Sequence, residues 1–333
     1  MHDPEVGEQL DGYRLTEILA RGGMASVFKA IDLDSGQEVV LKIPYIQYES
    51  DVVFYQRFER EEKIGQGIDH PGIVRVLAPR EKSRLYLVME YVPGRSLAEV
   101  MAAEAPLPKE RAVSIACQLA EALACLQRQG VIHRDVKPSN VRVLPSGEVK
   151  LLDFGIALIE SARRLTWAGL SHAVGTPDYM APEQIRGRRG DARTDVYALG
   201  VVLYEMLTGH LPYESGDTGA VLESKLHGES TPPSVHTPGL DPALQAIVLR
   251  SISREPRDRY PGAEEMLGDL RNPSKVSLDT PPPPRQSRLT RRARRWLAAC
   301  LVLGAIAVGL ASLVWISSPT SAGAPPAPVG GGP

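Results

Sequence analysis

The stretch His133-Arg134-Asp135-Val136-Lys137-Pro138-Ser139-Asn140 places a carboxylate, a lysine and an amide within six residues, and Asp153-Phe154-Gly155 begins thirteen positions after Asn140, between apolar runs. Phosphoryl transfer needs a divalent cation clamped to nucleotide phosphates and a group that orients the attacking hydroxyl. Two carboxylates and an amide at this spacing can serve both ends. Either tripeptide alone arises readily by chance. Both in order, with Lys137 and Asn140 at their offsets, do not.

Such residues need a framework, and the apolar pattern describes one. From Tyr13 to about Ala30, and again over residues 38–43, short β-branched and apolar runs broken by Gly and by Asp34-Ser35-Gly36 predict antiparallel strands. Helical spacing over 52–66 is followed by the His70-Pro71 break and two strand-like runs, 73–77 and 85–91. After Pro93-Gly94 the pattern turns to long helices at 111–129, 195–207 and 241–253. The expectation is an α+β chain. An extension over 1–12 precedes a small antiparallel β lobe with one helix, 13–92, and a larger, mainly helical lobe, 93–270.

Over residues 13–270 the chain resembles the eukaryotic-type (Hanks-type) protein kinases, and among them the bacterial membrane-anchored receptor-like Ser/Thr kinases. The resemblance implies a two-lobed kinase fold and transfer of the γ-phosphate of ATP to Ser or Thr hydroxyls of protein substrates. In it Asp135 orients the hydroxyl and accepts its proton, Lys137 neutralises the γ-phosphate, and Asn140 and Asp153 hold Mg²⁺, with Mn²⁺ as the alternative. Lys42 in Val39-Val40-Leu41-Lys42 matches the lysine that meets the α- and β-phosphates, and Glu61, nineteen residues on, matches its ion-pair partner. Glu62 is one step away, and the sequence leaves open which of the two faces inward. Residues 86–92 resemble the strand leading to the hinge, with Met89 at the back of the pocket and the backbone of Glu90 and Val92 meeting adenine. Gly175 to Glu183 resembles the end of an activation segment, in which Thr176 contacts the catalytic Asp and Lys. Asp195 to Gly200 matches the helix that braces the catalytic loop, and Arg259 would pair with Glu183. Ser161, Thr166 and Ser171, beside Arg163 and Arg164, lie where autophosphorylation would be read by Arg134; Thr166 and Ser171 are the candidate sites.

Three places depart from the pattern. The phosphate-covering loop, GxGxxGxV in the family, has Ala20, Gly22 and Ala25 at its glycine positions, followed by Val27. Alanine keeps the N–H but narrows the backbone geometry, and Gly22-Gly23 retains freedom at the tip. Val40 stands where the family usually has Ala. Arg142 stands where an apolar side chain floors the adenine pocket, so its guanidinium must reach solvent or a carboxylate. An altered ATP affinity follows from these positions. The rival reading they favour is a membrane-tethered pseudokinase scaffold.

Charge is uneven along the 333 residues. Residues 271–333 carry eight Arg or Lys and the single acid Asp279, +7, against −9 for residues 1–270. Such a basic block points to an anionic surface beside it and away from a nucleic-acid-binding domain. Leu297 to Ile316 are twenty consecutive uncharged, mostly apolar residues, the length of a transmembrane helix. Arg291, Arg292, Arg294 and Arg295 precede it and no Lys or Arg follows, which predicts a single-pass protein with 1–296 in the cytoplasm. The Pro/Arg-rich stretch 271–296 is then a juxtamembrane linker able to meet the lipid bilayer, and 317–333 a short extracytoplasmic tail. The acidic N-terminus has no secretory-signal pattern. Cys117, Cys125 and Cys300 show no metal-ligand spacing and read as buried thiols in a reducing compartment. In a bacterial host the membrane is the plasma (inner) membrane. A homodimer formed through the kinase domain is compatible with the same reading.

Overall fold

The computed structural model describes residues 2–78, 81–153 and 177–276. They fall within one compact unit, 1–279, and a second unit, 280–333, lies outside the described residues.

The first lobe is a five-stranded antiparallel sheet in the order β1 (Gln9–Leu10), β2 (Tyr13–Arg21), β3 (Ala25–Asp32), β4 (Glu38–Pro44) and β5 (Leu87–Glu90). Strand alternation decides which side chains meet the site. Val39, Leu41 and Ile43 pack with Tyr13, Leu15, Phe28 and Tyr86 on one face. Val40 and Lys42 therefore project from the other, where Val40 joins Leu87 and Met89 in the main core. Between β4 and β5 come the single turn α1 (Ile46–Glu49) and α2 (Val52–Gln66), the latter with the bounds its spacing predicted. Asp51 caps α2, its carboxylate accepting from the amides of Val53 at 2.9 Å and Phe54 at 3.1 Å. Phe54, Phe58 and Glu61, at intervals of four and three, are buried on one face of that helix.

Residues ahead of the sheet are also engaged. The Asp3 carboxylate accepts from the Ile46 amide at 2.9 Å. Arg84 donates to the Glu49 carboxylate at 2.7 Å, to the Pro44 carbonyl at 2.9 Å and to the His2 carbonyl at 3.1 Å.

The expected strand over 73–77 does not form as a continuous element. Ile73 bridges in parallel to Leu151 and Val76 bridges antiparallel to Met89, so the two ends of this stretch pair with different sheets. The expected strand over 85–91 is present in shortened form as β5.

The second lobe opens with β6 (Arg95–Ser96), which joins β7 (Val141–Val143) and β8 (Val149–Leu151) in a small sheet. Its helices are α3 (Leu97–Glu104), α4 (Lys109–Arg128), α5 (Pro182–Ile185), α6 (Ala192–Thr208), α7 (Thr218–His227), α8 (Pro233–His236), α9 (Pro242–Ser251) and α10 (Ala263–Arg271). From Thr194 to Leu203 every residue of α6 is buried, so this helix is the axis around which α4, α9 and α10 pack. It starts before the predicted Asp195 because Asp191 caps it, accepting from the Arg193 amide at 2.9 Å. Gly209, at φ 72°, ends it in the left-handed conformation that glycine adopts without steric cost. Among the described residues no helix is long and apolar enough to cross a membrane; the span read at 297–316 lies outside them.

Candidate active site

The loop from His133 to Asn140 is held from beneath by α6. Asp195, fully buried, accepts from the His133 amide at 2.9 Å and the Arg134 amide at 2.7 Å. These bonds hold Arg134 at φ 67°, a conformation side chains usually avoid. The next residue, Asp135, is thereby presented beside Lys137 and Asn140. Lys137 Nζ lies 2.7 Å from Asp135 Oδ2, and Asn140 Nδ2 donates to the same oxygen at 2.9 Å and to the Asp135 carbonyl at 2.8 Å. A 3₁₀ turn over Pro138–Asn140 sets the Asn140 position.

Asp153 reaches this loop through its neighbour. The Leu152 amide donates to the Asn140 carbonyl at 2.7 Å, and His133 Nε2 bonds the Leu152 carbonyl at 3.0 Å. Asp153 itself is at φ 52°. Its Oδ1 lies 2.5 Å from Lys42 Nζ, which also meets Glu61 Oε1 at 3.0 Å. Glu62 turns the other way, to Lys82 at 2.7 Å, and Lys82 also donates to the Tyr86 carbonyl at 2.7 Å. The choice the sequence left open is thus made by helix geometry: a residue one step on is rotated by about 100°.

Burial acts against the Lys42 charge, but the carboxylates of Asp153 and Glu61 outweigh it and hold the ammonium above its ordinary range. Burial likewise opposes ionisation of Asp153, whose carboxyl is nevertheless kept low, mainly by Lys42. Burial pushes the Glu61 carboxyl up to about 7 against the pull of Lys42.

Beside this chain of charges Val40, Met89 and Val92 are buried and Val27 is partly buried against the same core. The Glu90 amide is already used, donating to the Arg75 carbonyl at 3.0 Å, and the Glu90 carboxylate meets Lys150 at 2.5 Å. Ala20 and Ala25 are ordinary strand residues of β2 and β3, and neither Gly22 nor Gly23 at the turn has a positive φ. The backbone strain that would make alanine costly at these positions is therefore absent. The turn is tied instead from α1 and the residue ahead of it: the Tyr45 hydroxyl donates to the Gly22 carbonyl at 3.1 Å and the Tyr48 hydroxyl to the Gly23 carbonyl at 3.3 Å. Arg142, on β7 opposite Ser96 and Lys150, is half-buried, and its charge acts on Glu99.

Further along, Glu183 and Arg259 form a bidentate pair at 2.8 and 2.9 Å, with Thr194 Oγ1 donating to Glu183 at 2.9 Å. The protein kinase domain family model matches residues 13–269. The chain belongs to the protein kinase family.

Relatives of this kinase include the serine/threonine-protein kinase PknB of Mycobacterium tuberculosis, 37% identical over 292 residues, covering 86% of this chain and 46% of PknB. A probable serine/threonine-protein kinase of Corynebacterium efficiens is 40% identical over 271 residues, 78% of this chain and 41% of its own. The kinase therefore spans about half the length of these curated relatives. The solved kinase domain of M. tuberculosis PknI shares the two-lobed fold, with a TM-score of 0.64 and 26% identity, over 82% of this chain and 100% of that one.

In this kinase the structure brings Asp135, Lys137 and Asn140 into one cluster and Lys42, Glu61 and Asp153 into another. Thr176, with Phe154, Gly155, Ser161, Thr166 and Ser171, lies outside the described residues. Sequence reasoning missed Lys82, Tyr45, Tyr48 and Lys225. Only Lys225 carried a signal, as the one lysine among Val221, Leu222 and Leu226 on the apolar face of α7.

Proposed function

We propose that this protein is a serine/threonine protein kinase that transfers the γ-phosphate of ATP to protein hydroxyls. The observation that carries the reading is the contact chain Glu61–Lys42–Asp153, which runs from the small lobe to the residue beside the Asp135–Lys137–Asn140 cluster. In this reading the adenine lies against Val40, Met89 and Val92, beneath the turn carrying Ala20, Gly22, Gly23 and Val27, and meets the backbone of Glu90 and Val92. Lys42 contacts the α- and β-phosphates, with Glu61 fixing its direction. Asp135 orients the acceptor hydroxyl and takes its proton as the new P–O bond forms and the bond to the departing ADP oxygen breaks. Lys137 offsets the charge on the transferred group, and Thr176 is proposed to have the role the resemblance gives it, contact with Asp135 and Lys137.

Asn140 and Asp153 suit a hard divalent cation, Mg²⁺ or Mn²⁺. Asn140 spends its Nδ2 on Asp135, which leaves its amide oxygen to join the Asp153 carboxylate as an oxygen donor. In this reading phosphate oxygens would complete the shell around the cation. A bound cation would offset charge on the phosphates.

Arg134 supports regulation by autophosphorylation. Its Nε is buried without a hydrogen-bond partner among the described residues, and burial together with the charges of Arg189 and Arg60 lowers the pKa of its guanidinium against the pull of Asp195. Such a site favours an anion, and a phosphate on Thr166 or Ser171 is the one proposed. Residues 297–316 are proposed as a single membrane anchor in the plasma (inner) membrane, with the kinase domain cytoplasmic. Pairing through the kinase domain is compatible with the same arrangement.

The test is transfer of labelled γ-phosphate from ATP, with Mg²⁺ or Mn²⁺, to the protein itself and to a basic acceptor protein. Label on Ser or Thr that is lost in Lys42→Met and Asp153→Asn supports the reading. Transfer that persists in both variants, or none in the unaltered protein, overturns it.

A further inference from the structure

Lys225 on α7 is a lysine buried to 1% exposure. Its Nζ donates to the carbonyls of Pro177 at 3.0 Å and Met180 at 3.1 Å, and also to that of Asp178. An ammonium has three N–H donors, and here each has a carbonyl of the segment 177–180. The face of the Tyr197 ring lies 5.4 Å from the same nitrogen. A 3₁₀ turn over Pro177–Tyr179 lets carbonyls close in sequence converge on one point.

That segment immediately follows Thr176 and leads into Glu183, which Arg259 anchors to the core. Pro177 and Asp178 of this segment line a cavity of about 620 Å³. Its lining also includes Leu211, Tyr213 and Glu214 in the α6–α7 connection and Val221 on α7. Val221 and Lys225 are four residues apart on one helix face, so the helix that lines the cavity also holds Pro177 and Asp178 in place. Burying a lysine for fold stability alone is a poor use of a charge, because an apolar side chain of the same volume would fill the space without desolvation cost. What an apolar side chain cannot do is turn three carbonyls inward.

We infer that Lys225 is a positioning residue for the protein substrate: it fixes the 177–180 backbone as a platform on which the acceptor peptide lies beside Asp135. The inference rests on the kinase reading and deepens it. Lys225 touches neither nucleotide nor reacting atoms in this arrangement, so its effect belongs to acceptor binding.

The test measures KM for an acceptor peptide and KM for ATP separately in the full-length protein and in Lys225→Met and Lys225→Gln. Burial pushes the Lys225 ammonium down to about 7 while Asp178 pulls it up, so assays are run at about pH 6.5, where the charged form dominates. The methionine variant is expected to raise acceptor KM about tenfold or more with KM for ATP unchanged, and glutamine, which keeps two donors, to fall between. Hydrogen exchange over 177–185 is expected to quicken in the methionine variant, with exchange in α6 unchanged. This readout needs no activity, so it tests the hold of Lys225 on the 177–180 segment separately from the kinase reading. An unchanged acceptor KM in folded variants, or loss of both KM values and of α6 protection together, would show a structural lysine only and overturn it.

Discussion

Arg259 grips Glu183 through two N–H···O contacts of 2.8 and 2.9 Å in a place where its side chain is fully shielded from solvent. The remaining guanidinium donors go to the carbonyls of Ser253, Arg193 and Arg254, and the Tyr197 ring lies 4.7 Å away. Removing one partner leaves an unpaired buried charge. Arg259→Met is expected to lower stability by about 3–5 kcal/mol, read from urea unfolding. The double variant with Glu183→Gln should cost less than the sum of the single changes.

The same carboxylate sets an acid dependence. Burial raises the Glu183 pKa, but the bonds and charge of Arg259 outweigh it and hold the group below its ordinary 4.5. The unfolded chain therefore takes up the proton first as pH falls. Stability from Glu183 is present above about 4.5 and is lost as pH drops through the lowered folded value. Unfolding curves between about pH 6 and pH 3 should show this loss in the unaltered protein and a shallower one in Glu183→Gln.

Glu61 has the opposite sign. With its carboxyl raised from 4.5 to about 7, the folded protein holds a proton that the unfolded chain has released. Its contribution is full below about 4.5 and declines as pH rises through about 7. The stability of the unaltered protein relative to Glu61→Gln should accordingly fall across that window, and a flat difference would contradict the assignment.

Asp195 supports Asp135 without touching it. Asp195→Ala removes the acceptor for two loop amides and frees Arg134 from its positive φ. Turnover is expected to fall about a hundredfold, while calorimetric binding of ATP in the absence of a divalent cation, which in the proposed reading rests mainly on the other lobe, changes little.

Arg142→Leu would replace a half-buried guanidinium with an apolar surface. KM for ATP is expected to fall about three- to tenfold; a rise would show that Arg142 contributes to the nucleotide site.

Much of this was readable from residue order. The helix over 52–66, the pairing of Glu183 with Arg259 and the grouping of Asp135, Lys137 and Asn140 each follow from local patterns or from a motif whose offsets encode the geometry. The 73–77 stretch was misread because its β-branched residues favour extended backbone, and propensity does not reveal that Ile73 and Val76 pair with partners in different sheets. The choice between Glu61 and Glu62 depended on helix phase against the sheet, which Phe54 and Phe58 set through packing. The Tyr45 and Tyr48 bonds to Gly22 and Gly23 join residues more than twenty positions apart through hydroxyl-to-carbonyl contacts, which leave no periodic trace in the sequence.

The clasp of Arg84 on His2, Pro44 and Glu49, with Asp3 on Ile46, matters for handling this protein. Any affinity tag, cleavage scar or fusion partner joined just ahead of residue 2 enters the molecule beside the segment that carries Tyr45 and Tyr48 and leads into the Glu61 helix. Recombinant versions that differ only in their leading residues should therefore be compared for nucleotide affinity before their kinetics are pooled.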